Sequence, residues 1–252
     1  MKLLAILVCL ITSFGSLSVH ADESKPRIVM LIAEREYETH QTLPAFAKQS
    51  LEQDFDVSFV FEDPADRNRF VGIEQVDDAD VVVISVRRRT LPKTQLDTIR
   101  RHVASGKPVV GIRTANHAFC LRTGNPPDGY HQWTSWDHDV FGGSYTNHYG
   151  NDLVTTVTCR DAGEVSNILL KNIDTDKSFT STGSLYVVSP IAEGTTVLMD
   201  GKVEGQGSEP IAWTFTRADG GKSFYTSLGH KDDFAGDVLP KLLVNALDWL
   251  TP

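Results

Sequence analysis

An arginine occupies the position in this chain where a nucleophile would be expected. Residues 108–112 (PVVGI) form a short apolar run after Ser105-Gly106-Lys107, which reads as a helix stop. The run ends at Arg113, and a turn of small residues, Thr114, Ala115 and Asn116, leads to His117. A strand entering a tight turn and then a helix has the geometry of a nucleophile elbow, which raises one side chain above the sheet edge. Here that side chain is Arg113, whose guanidinium stays protonated at ordinary pH and attacks nothing. A buried arginine needs a partner, either a ligand or a carboxylate such as Glu34. These residue types suit polarisation and orientation by a fixed cation, with proton transfer left to imidazoles.

Three histidines are candidates for that transfer. His230 follows the apolar run Ser223–Ser227 and Leu228-Gly229. His117 lies one turn past Arg113. His148 sits in Tyr145-Thr146-Asn147-His148-Tyr149, just after Gly142-Gly143. Each has a structural alternative: capping the next loop, backing the sheet, or packing beside Tyr149. Candidate substrate-binding residues are Arg113, Asn116, Arg88, Glu34 and Tyr145. Of Arg87-Arg88-Arg89, at least one should be solvated, while one can help Arg113 hold hydroxyl or carboxylate oxygens. His40, His117, His148 and His230 could instead converge on a divalent metal such as zinc with an open position, but no local signature of the HExxH kind supports it. Asp137-His138-Asp139 reads as a polar turn. The neighbouring Trp133 and Trp136 could stack on a sugar ring.

Several elements must position these groups. Arg27–Ala33 (RIVMLIA), Asp56–Glu62, Asp80–Val86 and Pro108–Ile112 read as strands. Residues 39–53 carry Leu43, Phe46, Ala47 and Leu51 at helical spacing, and 91–105 carry Leu96, Ile99 and Val103. Alternating strands and helices predict a parallel sheet with helices on both faces, and near-continuous apolar strands agree. Ligands bind such sheets beyond the carboxyl ends of the strands, where the residues above would gather. Segment 130–149 is aromatic-rich without a clear period. Val154–Cys159, Leu185–Ser189, Thr196–Met199, Ile211–Arg217 and Ser223–Ser227 read as later strands, the last two joined by the hairpin signal Ala218-Asp219-Gly220-Gly221. A final helix spans 237–250.

Bulk properties set the context. Lys2, the apolar stretch Leu3–Leu17 and Val19-His20-Ala21 read as a signal peptide over 1–21, giving a secreted or periplasmic product with one domain over 22–252. That apolar stretch is too short for a membrane span, so no membrane association is expected once it is cleaved. With 24 Lys and Arg against 33 Asp and Glu, the chain carries a formal charge of −9, which disfavours nucleic-acid partners. Cys9 leaves with the leader. Cys120 and Cys159 remain, either bridged or as two buried thiols. Oligomeric state is not encoded legibly.

The segments GKPVVGIRTANHAF, HDVFGGSYTNHYG, IAWTFTRADGGKSFYTSLGHKDDF and LLVNALDWL resemble the ThuA-like, or trehalose-utilisation, family, over roughly residues 27 to 250. The resemblance implies an α/β, flavodoxin-like fold of the class I glutamine amidotransferase-like superfamily, with antiparallel strands added in the C-terminal half. True amidotransferases of that superfamily carry a cysteine at the position of Arg113, a histidine corresponding to His230 and an acid corresponding to Asp232. Without that cysteine, amidotransferase chemistry is not implied. The resemblance implies instead carbohydrate metabolism, with a small sugar or 3-keto-sugar as ligand. His230 would be general acid/base, with His117 or His148 as second proton carrier. Isomerisation, elimination and hydrolysis all fit these types. The alternatives are a non-enzymatic carbohydrate-binding module and a metal-dependent hydrolase.

Overall fold

The structure is a computed structural model that describes residues 24–251, so the leader expected over residues 1–21 lies outside it. Strand β1 (Arg27–Ala33) is central because its side chains are apolar on both faces. Ile28, Met30 and Ile32 join one core layer, and Val29, Leu31 and Ala33 the other. It pairs in parallel with β2 (Asp56–Phe61) and β3 (Val81–Val86); β3 pairs with β4 (Val109–Ile112). Helix α1 (Thr39–Ser50) connects β1 to β2, and α2 (Lys93–Ala104) connects β3 to β4.

Beyond β4 the chain builds β5 (Thr155–Cys159), α3 (Glu164–Leu169), β6 (Phe179–Ser181), β7 (Thr195–Lys202), β8 (Ser208–Thr216) and β9 (Lys222–Thr226). Strand β9 returns beside β4 and runs parallel to it, which gives the sheet order β2-β1-β3-β4-β9-β8-β7-β5-β6. The first five strands are parallel in the flavodoxin-like order. The other four extend the sheet antiparallel. The short helix α4 (Lys231–Ala235) and the long α5 (Val238–Leu250) close the chain. Helices α1 and α5 cover one face, with Leu43, Phe46, Leu242, Leu243 and Leu247 buried there. Helix α2 and the aromatic segment with Trp136 and Phe141 cover the other.

The sequence reading departs from this fold in a few places. Leu185–Ser189 is not a strand of the main sheet; only Tyr186–Val187 pairs, with Asn147–His148, in a small antiparallel clip. Helix α3 and strand β6 were not expected, being six and three residues long, too short to show a period. The 130–149 segment lacks a period because it is mostly irregular chain: Trp136 and Phe141 are buried in the core, whereas the Tyr130 hydroxyl reaches Asp66 near the surface. Trp136 is fully buried and donates its Nε1–H to Ala115 O at 2.6 Å, so it offers no face to a sugar ring. Asp137 is not a solvated turn residue either: one of its carboxylate oxygens, Oδ1, is buried without a partner. Cys120 and Cys159 are free and partly buried, and burial raises both thiol pKa values.

Candidate active site

Strands β1, β3, β4 and β9 are neighbours, so their carboxyl ends deliver four loops to one edge: Glu34–Tyr37, Arg87–Arg89, Arg113–His117 and Gly229–Asp233. At the end of β4 the backbone makes the sharp turn that the sequence suggested. Arg113 has a left-handed φ of 47°, uncommon for a residue with a side chain, and its carbonyl accepts the Tyr225 hydroxyl at 2.6 Å. Its own side chain is 1% exposed. Glu34 is not its partner, and among the described residues no carboxylate makes an ion pair with it. Instead, Nη1 donates to Ser227 O at 2.6 Å and Nη2 lies 3.3 Å from both Ser184 O and Ser184 Oγ. The guanidinium carbon stands 4.0 Å from the Tyr37 ring centre and 4.8 Å from that of Tyr186. Burial opposes the charge, but Tyr186, Tyr37 and Asp233 outweigh it and hold the pKa above the ordinary value. The Nε–H has no partner and is buried. A methyl group at Gly183 would come within 2.6 Å of Arg113 Nη1, so the backbone passes there only without a side chain.

Glu34 is buried and turned to its own loop. It accepts from Tyr37 N at 2.8 Å and from the Thr39 hydroxyl at 3.0 Å; Ser85 in turn donates to Thr39 Oγ1 at 2.7 Å. Its work is to hold Tyr37 beside Arg113.

His117 is 4% exposed and stacks on Tyr145, with ring centres 4.5 Å apart and an angle of 28°. Tyr186 stands 6.0 Å away. Nδ1 lies 2.6 Å from Asn116 Oδ1, an acceptor, so Nδ1 carries the hydrogen and Nε2 holds the lone pair. Burial, then Arg88, Arg87, Arg113 and Arg122, press its pKa well below the usual histidine value. His117 is therefore a neutral base at pH 7. Its turn is pinned from β3, since Arg88 N donates to His117 O at 3.2 Å and Arg89 N to Ala118 O at 2.7 Å.

The stacking partner is held from below. Tyr145 N donates to Asp137 Oδ2 at 2.7 Å, and a methyl on Gly143 would meet Asp137 Oδ1 at 2.5 Å. Burial raises the Asp137 carboxyl to about 7 despite the Tyr145 hydrogen bond and nearby His138.

His230 occupies the N-cap of α4. Nδ1 lies 3.3 Å from Asp232 N, a donor, and 2.9 Å from Thr182 Oγ1, which makes Nδ1 the acceptor and Nε2 the protonated nitrogen. Its side chain is 22% exposed, with the ring centre 6.0 Å from that of Tyr37. His148 donates Nδ1–H to Tyr149 O at 2.7 Å and stands 6.4 Å from Tyr186. Thus Tyr186 is shared by Arg113, His117 and His148, while Tyr37 joins Arg113 to His230. His40, on α1, has a buried Nδ1 without a partner. Among the described residues no three His, Cys, Asp or Glu side chains are grouped to hold a metal ion.

The sequence reading gave no site role to Tyr37, or to Tyr186, which it placed only within an expected strand, and took Asp137 for part of a polar turn. Tyr37 sits after β1, where the strand-end rule does point. Tyr186 comes from an irregular crossing that no parallel strand leads into, so that rule gives no hint of it. A cavity of about 480 Å³ lined by Cys159, Arg160 and Asp176 lies instead at the far antiparallel edge and contains no histidine.

The fold matches that of solved protein structures. A putative ThuA-like protein from Bacteroides uniformis is 18% identical, with 94% of this chain and 95% of that one covered at a TM-score of 0.63. A second putative ThuA-like protein, from Parabacteroides merdae, is 16% identical over 90% of each chain, with a TM-score of 0.57. The mmIFT52 N-terminal domain aligns at 10% identity over 89% of this chain and 97% of its own, with a TM-score of 0.55. At such identities these likenesses establish the α/β, flavodoxin-like fold. None of the curated proteins matches the chain. The family model described as ThuA, trehalose utilisation, matches residues 28–250, and the chain belongs to that family.

Proposed function

We propose that this protein is an exported enzyme of carbohydrate metabolism that moves a proton beside the carbonyl of an oxidised sugar. The observation that carries the reading is the state of His117: buried, neutral, fixed at Nδ1 by Asn116, and set among tyrosines and a buried guanidinium. A base of this kind suits removal of a proton from the carbon next to a ketone. In the proposed step His117 Nε2 takes that proton, and the C–H electron pair moves to the carbonyl oxygen. Arg113 stabilises the enolate oxygen. In elimination the carbonyl re-forms as the C–O bond on the next carbon breaks, and the Nε2–H of His230 protonates the leaving oxygen. In isomerisation that Nε2–H protonates the former carbonyl carbon, while the hydroxyl on the deprotonated carbon gives its proton to the enolate oxygen and becomes the new carbonyl. In either case the proton held by His117 is released through solvent to restore His230. Tyr37, Tyr145 and Tyr186 supply apolar ring faces and hydroxyls suited to a sugar; burial raises the Tyr145 and Tyr186 pKa values, which keeps those phenols protonated.

Incubation with a 3-keto-disaccharide in deuterated water tests the reading. We expect deuterium to appear at the carbon beside the carbonyl, and His117→Gln to slow this by about 10²–10⁴-fold. Tight binding without any exchange by the wild-type protein would leave a binding module and remove the enzyme. Export is tested by mass: the chain recovered outside the cytoplasm should begin at Asp22.

A further inference from the structure

The substrate's charge can be read from the pairing of the arginines around the site. Arg89 is buried against Glu62 at 2.6 Å, Arg35 lies 3.1 Å from the same carboxylate, and Arg87 pairs with Glu36 at 2.8 Å. Glu34 is committed to Tyr37 and Thr39. Asp233 is within electrostatic reach of Arg113, but its oxygens accept from Gly229 N, His230 N and the Ser181 hydroxyl. That leaves Arg88. It is half-buried, and among the described residues its guanidinium has neither an ion-pair partner nor a hydrogen bond. Arg122, exposed just beyond Cys120, is likewise unpaired among them.

Arg88 is also fixed in place. Its backbone is left-handed, with φ 51°, and its N–H donates to His117 O. Arg88 and Arg113 therefore stand in the same uncommon conformation beyond the ends of adjacent strands β3 and β4. Such backbone is disfavoured for a residue with a side chain and persists where the surroundings impose it. Two buried donors at the same edge, Arg113 Nε and Asn116 Nδ2, also have no partner. Among the described residues, Arg88 and Arg113 thus stand at this edge without a carboxylate paired to either, within a chain of formal charge −9. One enolate oxygen uses Arg113. It leaves Arg88 and Arg122 without a counter-charge.

We propose that the sugar this site accepts is acidic, carrying a carboxylate or phosphate that Arg88 binds, with Arg122 at the rim. Both oxyanions suit the planar fork of an arginine. The inference rests on the site assignment made above, and affinity is measured separately from turnover. The intact mature protein is titrated calorimetrically with methyl glucoside, methyl glucuronide and glucose phosphate. We expect at least one anion to bind about tenfold or more tighter than the neutral glycoside, an advantage that shrinks with added salt. The better of the two anions identifies the group.

Arg88→Ala should abolish the preference, and Arg88→Lys, which keeps the charge but loses the fork, should restore it in part. Arg122→Ala, a surface change that leaves folding intact, should weaken anion binding less. Equal affinity for all three ligands, or no measurable anion binding by the wild-type protein, overturns the proposal. A charge preference without deuterium exchange supports it and counts only against the proton-transfer chemistry. Exchange on neutral keto-sugars with no preference for anions overturns it and leaves that chemistry standing.

Discussion

Two ionisable side chains, His117 and Asp137, have their pKa values displaced by burial in opposite directions, and both contact Tyr145, His117 at its ring and Asp137 at its backbone N–H. His117 has its pKa pressed below the ordinary 6.5 by burial and by four guanidinium groups. The unfolded chain therefore takes up a proton near pH 6.5 that the native protein refuses. His117 contributes no pH dependence above that value, and stability falls as pH drops below it. The same shift keeps the base active in mild acid, so the exchange rate should hold its plateau below pH 6.5. An acid limb centred at 6.5 or above would show that another group is the base. Asp137 behaves the other way. Its carboxyl ionises at 3.8 in an ordinary setting and at about 7 here, because burial penalises the charge. The stability tied to its bound proton is complete below pH 3.8 and is lost as pH rises through 7. Asp137→Asn keeps the acceptor for Tyr145 N and removes the charge. Urea unfolding should show this variant gaining on the wild-type protein by roughly 1.4 kcal/mol per pH unit between pH 5 and 7. Parallel pH curves for the two proteins would count against the burial argument.

At the scale of elements, the site depends on how β4 and β9 bring Arg113 against the Gly183-Ser184 crossing. Arg113 has its hydrogen-bond acceptors on two backbone segments, Ser227 after β9 and Ser184 in the crossing. Gly183→Ala would place a methyl 2.6 Å from Nη1 and push the guanidinium away from Ser184 and the Tyr186 ring. Overpacking of this kind costs about 1–3 kcal/mol of stability. We expect a second effect, a fall in kcat that exceeds any rise in KM, since in the proposed step the displaced cation would stabilise the developing oxyanion. A change in Tm alone, with kcat intact, would show that Arg113 serves packing only. The elbow itself was legible in the sequence, because an apolar run, an abrupt Arg113 and small turn residues leave few other conformations. So were Arg88 and His230, which lie beyond strands whose apolar runs mark them plainly. The crossing was not legible. Residues 181–188 hold a Ser-Thr-Gly-Ser stretch and a two-residue strand, and neither carries periodicity. What places Tyr186 is its pairing with His148 and the aromatic cluster below it, both distant in the chain.

Across the whole molecule, the parallel half positions most of the candidate site, while the antiparallel strands beyond β9 and the helical layers supply the mass that holds it. That division was half visible. Parallel strands buried on both faces read as unbroken apolar runs, whereas β7 alternates Met199, Asp200, Gly201 and Lys202 and runs three residues further than its hydrophobic core suggests. The pairing of β9 with β8 was legible in its hairpin signal, but the place of β9 beside β4 was not, because strand order across a long connection depends on tertiary contacts alone. Helix α5, by contrast, shows its buried face in Leu239, Leu242, Leu243, Ala246, Leu247 and Leu250. It packs with α1 on the face opposite the aromatic segment that supports Tyr145. The division can be tested there. Leu247 is 1% exposed, and Leu247→Ala should cost about 2–5 kcal/mol, since the cavity left behind closes only in part. For a domain of this size Tm should fall by roughly 2–4 °C per kcal/mol. The kcat of the remaining folded protein, measured well below the new Tm, should match that of the wild-type protein, because neither Arg113 nor His117 rests on that layer. His230 is the sensitive exception, as the five-residue α4, followed by Gly236 and Asp237, links it to α5. A variant that melts early and also loses kcat at low temperature would mean that α5 sets the position of His230, and the division into a chemical half and a supporting mass would have to be redrawn through α4.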